Sequence, residues 1–328
     1  MAVLVTGGAG YIGSHTVAAL LEKGEQVVIV DNLYQGHRDA VLGGKLYVGD
    51  LRDEAFLSQV FAENEIDGVI HFAANSLVGE SMYKPGMYYH NNVYGTLCLL
   101  EQMNKAGVSR IVFSSTAATY GEPERVPIDE FDRTEPTSVY GETKLAMEKM
   151  IRWFDVAHGI RSVSLRYFNA AGAHESGRIG EDHRPESHLI PLVLQTALGQ
   201  REFIAVFGDD YPTEDGTCVR DYIHVSDLAD AHILAMERLR GNGESAVYNL
   251  GNGQGFSVKQ VIDIAREVTG REIPVRIEAR RAGDPAVLVA SSQRARQELG
   301  WNPYRSRLQD IIASAWRWHN GHPNGYDN

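Results

Sequence analysis

The feature that most constrains this chain is a rhythm of short, wholly apolar runs separated by stretches long enough to be helices. The runs fall at residues 3–6, 26–30, 45–48, 68–72, 110–114 and 162–167. Strands buried on both faces of a parallel sheet read as continuous apolar runs, whereas half-solvated strands alternate. Between them, residues 14–23, 54–64, 91–106 and 140–158 each suffice for a crossover helix. The β-α-β-α order predicts an α/β fold with a doubly wound parallel sheet.

After about residue 170 the rhythm breaks, and glycine, proline and charge accumulate at 172–191 and 208–221. This divides the chain into a first domain at 1–170 and a smaller C-terminal domain at 171–328, with segments such as 222–239 and 248–250 expected to pack back onto the first sheet. With 328 residues and 43% hydrophobic content, a large core is available. A net charge of −12 argues against nucleic acid or anionic membranes as partners. Cys98 and Cys218 lack CxxC spacing and are expected to be reduced packing residues. The start, Met1 to Gly7, has no cationic leader, and no apolar run approaches about 18 residues, so a soluble cytoplasmic protein is expected.

Gly7, Gly10 and Gly13 follow the first strand at three-residue intervals, and Gly8, Gly10 and Gly13 also satisfy GxGxxG. Glycines there permit a tight turn and bring backbone amides and a helix N-terminus against a pyrophosphate, the Rossmann-like arrangement. Asp31 ends the second strand eighteen residues after Gly13, where a carboxylate accepts from an adenosine ribose and repels a 2′-phosphate. NAD is therefore favoured over NADP. Asp50 and Leu51, after the third strand, fall where an adenine edge would lie.

Tyr140 and Lys144 are four residues apart, on one face of a helix. Ser114-Ser115-Thr116 ends the fifth strand and supplies a hydroxyl. Removing hydride from a carbinol carbon requires its hydroxyl proton to leave as well. A phenol of pKa about 10 is a poor base at neutrality, and lowering it by about 3 units takes roughly 4 kcal/mol. Tyr140 is assigned as base, Lys144 as the cation that favours its phenolate, and Thr116 as hydrogen-bond partner of the reacting oxygen.

Together these residues resemble the extended short-chain dehydrogenase/reductase superfamily. Within it, Phe72-Ala73-Ala74, residues 88–93, 114–121, 166–169, 207–217 and 219–225 resemble the UDP-glucose 4-epimerase family, and the resemblance runs from Val3 to about Tyr326. It implies NAD contacts from Tyr11, Ile12, Asp31, Asn32, Leu33, Tyr34, Gln35, Gly36, Asp50, Leu51, Phe72, Ala73, Ala74, Ser76, Asn91, Ser114, Tyr140, Lys144, Tyr167 and Phe168. It also implies reversible inversion at C4 of a UDP-hexose through a 4-ketose, with NAD never released, and a homodimer.

Two phosphates call for arginine, and the resemblance places Arg220 and Arg281 there, with Asn169 and Asp284. Phe207 and Tyr222 would wall the uracil, with backbone from Ile204, Ala205, Val206 and Phe207 reading it. Thr116, Tyr140 and Phe168 would face the sugar. The chain departs from the family at Ser76, where some members carry lysine, at Thr116 in place of serine, and at His188-Leu189 in place of Asn-Leu. Leu288 falls where the family varies the residue beside sugar C2, and a residue smaller than tyrosine there implies activity on N-acetylated UDP-hexoses too. Glu181, Asp182, His183, Glu186 and His188 match no strong ligand spacing, so they are taken as solvated and no metal is expected. Three rival readings remain: a 4,6-dehydratase, disfavoured by Ala117-Ala118 where that subfamily has Asp-Glu; a 4-epimerase of UDP-glucuronate; and an NAD-binding regulator, which would have no use for Thr116, Tyr140 and Lys144 together.

Overall fold

Alternate residues of the apolar runs supply opposite faces of one sheet. The computed structural model describes residues 1–281 and 285–327. Its main strands are β1 (Ala2–Thr6), β2 (Val27–Asp31), β3 (Lys45–Val48), β4 (Ile66–His71), β5 (Arg110–Ser114), β6 (Arg161–Tyr167) and, far along the chain, β11 (Ala246–Leu250). They form a parallel sheet in the order β11-β6-β5-β4-β1-β2-β3.

Val3, Val5, Ile70, Val112 and Leu165 point to one face, where Val17 and Leu20 of α1 (Tyr11–Glu22) and Leu228 and Met236 of α8 (Val225–Arg240) cover them. Leu4, Val28, Val69, Ile111 and Phe113 point to the other. There they meet Leu57 of α2 (Glu54–Glu63), Leu99 of α5 (Gly95–Ala106) and Met147 of α6 (Val139–His158). Each such side chain contributes about 1.5–3 kcal/mol when fully buried, so both faces favour the doubly wound order. The edge strand β3 departs from the predicted two-face burial: Lys45 and Val48 are exposed, because this strand has a neighbour on one side alone.

The 6-residue stretch Tyr89–Tyr94 is a π-helical turn leading into α5. Short helices α3 (Val78–Ser81) and α4 (Pro85–Tyr88) precede it. The second region adds β7 (Asn169–Ala171) beside β10 (Tyr222–His224), β8 (Ile204–Phe207) beside β13 (Val275–Glu278), and β9 (Val219–Arg220) between β12 (Phe256–Ser257) and β14 (Val287–Leu288). Around them pack α7 (Leu189–Ala197), α9 (Val258–Thr269) and α11 (Leu308–Gly321), whose Ile190, Val261 and Ile311 share a separate core; α10 (Gln293–Glu298) lies against β11. Both α8 and β11 come from beyond residue 170 yet complete the first sheet and its covering layer. Among the described residues, no helix is long and apolar enough to cross a membrane.

Chain direction across the sheet reverses between β1 and β4, since β2 and β3 lie on one side and β5, β6 and β11 on the other. Ligands in such sheets bind outside the carboxyl ends of the strands at this switch point.

Candidate active site

A cleft of about 780 Å³ opens there, bounded by the turn after β1, the ends of β2, β4 and β5, the start of α6, and loops of the second region. Gly7 turns with φ +71°, and a Cβ on it would stand 2.6 Å from the Ala73 amide nitrogen. A Cβ on Gly13 would meet the Gly7 carbonyl oxygen at 2.1 Å. The turn and the first helical turn thus close against each other only without side chains. Gly10 is the N-cap of α1, with no side-chain cap and no acid in the first turn, which leaves that end of the helix to an anion such as a pyrophosphate. These features fit a dinucleotide. Gly13→Ala is expected to lower co-purifying dinucleotide roughly tenfold or more, read by absorbance after denaturation; full retention would contradict this reading of the turn.

Asp31 is 7% exposed, and burial raises its carboxyl pKa. Its oxygens accept from the amides of Ala9 at 3.0 Å and Leu33 at 2.8 Å, so it fastens the glycine turn to the end of β2 and offers its remaining lone pairs to the cleft. Asp50 is gripped by Arg52 through Nε at 2.7 Å and Nη2 at 2.6 Å, and this guanidinium holds its pKa far below the usual carboxylate range.

Ser138 caps α6 by accepting from the Gly141 amide at 3.1 Å, which fixes where the helix begins and aims Tyr140 and Lys144 along one face. Tyr140, Lys144, Thr116 and Ser114 all line the cleft. Burial pushes the Tyr140 phenol up to about 12, and its hydrogen bond with Thr116 works in the opposite direction. Burial brings the Lys144 ammonium down to about 7, opposed by Glu148; its Nζ donates to the Ser114 carbonyl at 2.8 Å and lies 5.9 Å from the centre of the Tyr140 ring. The sequence pointed to the Lys144 cation, with an oxidised nicotinamide, as favouring the phenolate; burial is the larger influence in the protein alone and acts the other way. Bringing a phenol from about 12 to neutrality takes roughly 7 kcal/mol, more than the 4 first supposed.

Two buried networks hold this helix. Arg166 of β6 meets Glu148, one turn beyond Lys144, through Nε at 2.9 Å and Nη2 at 2.5 Å, and Ser115 donates to the same carboxylate. On the opposite side, Asn92 donates to the Thr143 hydroxyl at 3.1 Å, which donates to the Tyr140 carbonyl at 2.8 Å. Asn92 also accepts from the Asn75 amide at 2.8 Å, tying α6 to the loop after β4. The sequence placed Asn92 in the 88–93 resemblance but gave neither it nor Glu148 a role; a polar residue amid apolar helical spacing was the available signal.

Of the residues expected at the nucleotide sugar, Phe168, Asn169, His188, Arg220 and Leu288 line the cleft. Arg220 and Leu288 are register partners across β9 and β14, so one short ladder presents both. Leu33, Leu189, Ile204, Ala205, Val206, Phe207, Tyr222 and Arg281 do not line it. The side chains of Ile204, Val206 and Tyr222 are buried in the second core, against which Leu189 packs. Phe207 and Arg281 stack on each other, the guanidinium carbon 4.0 Å from the ring centre. Asp284 lies outside the described residues. The NAD-side residues Tyr11, Ile12, Asn32, Tyr34, Gln35, Gly36, Leu51, Phe72, Ala73, Ala74, Ser76, Asn91 and Tyr167 all line the cleft.

The acids and histidines of the 181–188 loop are not the solvated groups that were expected. Glu181 is 4% exposed, and Glu181, His183 and His188 form part of the cleft wall. Burial lowers both imidazoles, but the facing carboxylates of Glu181 and Glu186 outweigh it, raising His183 to about 9 and His188 to about 10.

Residues 3–251 match the NAD dependent epimerase/dehydratase family. The UDP-glucose 4-epimerase of Halalkalibacterium halodurans is 62% identical over 99% of this chain and 98% of its own length. A crystal structure of a UDP-glucose 4-epimerase superposes with TM-score 0.99 at 59% identity, covering 100% of both chains. The Bifidobacterium longum UDP-glucose 4-epimerase in complex with NAD+ and UDP gives TM-score 0.93 at 45% identity, over 99% of this chain and 100% of that one.

Proposed function

This chain belongs to the NAD dependent epimerase/dehydratase family, and from that premise we propose that it inverts C4 of a UDP-hexose, interconverting UDP-galactose and UDP-glucose with NAD held throughout. The observation that carries the reading is the sharing of one cleft by the uncapped start of α1 and by Thr116, Tyr140 and Lys144.

NAD, when bound, supplies a hydride acceptor and donor at C4 and a positive ring that favours a nearby phenolate. Tyr140 takes the C4 hydroxyl proton on the way to the 4-ketose and returns it on the way back. Thr116 hydrogen-bonds the reacting oxygen, and Lys144, anchored on Ser114, adds positive charge below the phenol. Ala117 and Ala118 line the cleft with no ionisable group, which supports epimerisation over a dehydration that needs a further acid and base. Arg220, which lines the cleft, meets the diphosphate as a charge-assisted donor. Asp31 selects NAD by accepting from a ribose hydroxyl.

Two copies associate through α5 and α6. Trp153 and Val156 on α6 are 60% and 72% exposed, apolar surface that a symmetric four-helix contact would cover.

Leu288 leaves room beside sugar C2, so UDP-N-acetylglucosamine and its galactose epimer are turned over as well. Leu288→Tyr is expected to cut turnover of the N-acetylated pair by at least about tenfold while sparing UDP-galactose, measured side by side by nucleotide-sugar separation. Absence of N-acetyl turnover in the unaltered chain would contradict the open C2 side, and absence of UDP-galactose turnover would contradict the assigned reaction.

A further inference from the structure

We propose that Glu181, His183, Glu186 and His188 form a binding site for one divalent transition-metal ion, zinc by their donor chemistry, in the wall of the cleft. The reaction assigned above does not use such an ion, and the site stands on its own geometry.

Each of the four side chains offers one donor atom, and these atoms all lie within 4.8 Å of one another. Glu181 Oε1 is 3.2 Å from His183 Nδ1 and 3.0 Å from His188 Nδ1. Glu186 faces the same two nitrogens with one oxygen each, Oε2 at 3.7 Å from His183 and Oε1 at 2.8 Å from His188. Donors about 2.0–2.1 Å from a tetrahedral zinc stand about 3.3–3.4 Å apart, which is the middle of this range. Two imidazoles with two carboxylates suit zinc better than magnesium or calcium, which prefer all-oxygen shells.

A second observation points to the same centre. His183 Nδ1 is sealed from solvent and makes no hydrogen bond, although a carboxylate oxygen lies 3.2 Å away. A nitrogen at that distance but out of line with its neighbour is placed for a point that both share. The charges also balance once the two imidazoles release their protons to solvent on binding, since two carboxylates then cancel a divalent cation and leave no net buried charge.

The surroundings hold the donors in place, as outer hydrogen bonds do in metal centres. Glu186 Oε1 accepts from the amides of Ser187 at 2.7 Å and His188 at 2.8 Å. Trp318 Nε1 donates to the Glu181 carbonyl at 3.1 Å. The Tyr11 ring meets the His183 ring edge-on at 6.1 Å, and its hydroxyl donates to the Gly172 carbonyl at 2.6 Å. A cation here therefore clamps the loop before α7 next to the first turn of α1, stiffening the side of the cleft where both halves of the molecule meet.

The test is calorimetric titration of ZnCl2 into chelator-treated protein with its NAD retained, alongside Glu181→Gln, His183→Gln and His183→Cys. Expected are one zinc per chain with a Kd at or below about 1 µM, weakened at least about 100-fold in both glutamine variants at unchanged NAD content. The cysteine variant keeps zinc, because a thiolate replaces the imidazole. If the glutamine variants fail to fold, the thermal midpoint of the unaltered protein decides: a rise saturating at one equivalent of zinc supports the site, and no rise overturns it. No binding below about 100 µM, or binding undiminished in folded glutamine variants, also overturns it and leaves two imidazole–carboxylate pairs.

Discussion

Tyr140→Phe is expected to lower turnover of UDP-galactose by at least about 10³-fold while leaving bound NAD near one per chain. The substitution removes the proposed proton acceptor together with its hydrogen bond to Thr116, while the Tyr140 carbonyl still accepts from Thr143 at 2.8 Å. The expected size reflects how much the site asks of this group. Burial raises the phenol to about 12, so the enzyme must stabilise the phenolate strongly before the oxygen can act. Thr116→Val, which deletes the hydroxyl beside it, should cost less because the base itself remains. A phenylalanine variant with near-normal turnover would show that the C4 proton leaves by another route.

Glu148→Gln is expected to destabilise the protein by roughly 3–5 kcal/mol, lowering the thermal midpoint by about 4–7 °C. Arg166 is 6% exposed and keeps its charge, so neutralising Glu148 leaves a buried guanidinium without its counter-ion. The same carboxylate accepts from Ser115, beside Thr116 in the cleft, and raises the Lys144 ammonium. Loss of stability should therefore come with a further drop in turnover for the folded fraction. Replacing both partners by apolar residues of similar volume should recover much of the stability, because no charge is left unpaired. Thermal unfolding of the single and double variants distinguishes the pair from ordinary packing.

What was legible in the sequence was local. The glycine turn, Asp31 at a strand end and the Tyr140–Lys144 spacing each depend on neighbours within one strand-turn-helix unit or one helical turn, where chain geometry follows directly from residue order. The apolar runs gave the strands for the same reason. The edge exposure of β3 did not follow, because strand order across the sheet is a long-range property. Glu148 and Arg166 are 18 residues apart and meet because β6 packs beneath α6, and nothing in either segment names the other. The cluster at 181–188 is visible in the sequence but reads as solvated because its spacing matches no ligand motif: the loop brings the four side chains together with no helical period to announce it. On the nucleotide side, family resemblance had the backbone of residues 204–207 reading uracil and Tyr222 walling it; the side chains of Val206 and Tyr222 fill the second core, a long-range packing that no local pattern announces.

The most direct test is to purify the protein without added nucleotide, incubate it with UDP-galactose and no cofactor, separate the nucleotide sugars, and then denature the protein and assay NAD. UDP-glucose formation with about one NAD released per chain is the expected result, since a cofactor that returns its hydride within one cycle need not be supplied. Absence of conversion from protein that nonetheless carries NAD would contradict the assignment of C4 inversion to this cleft.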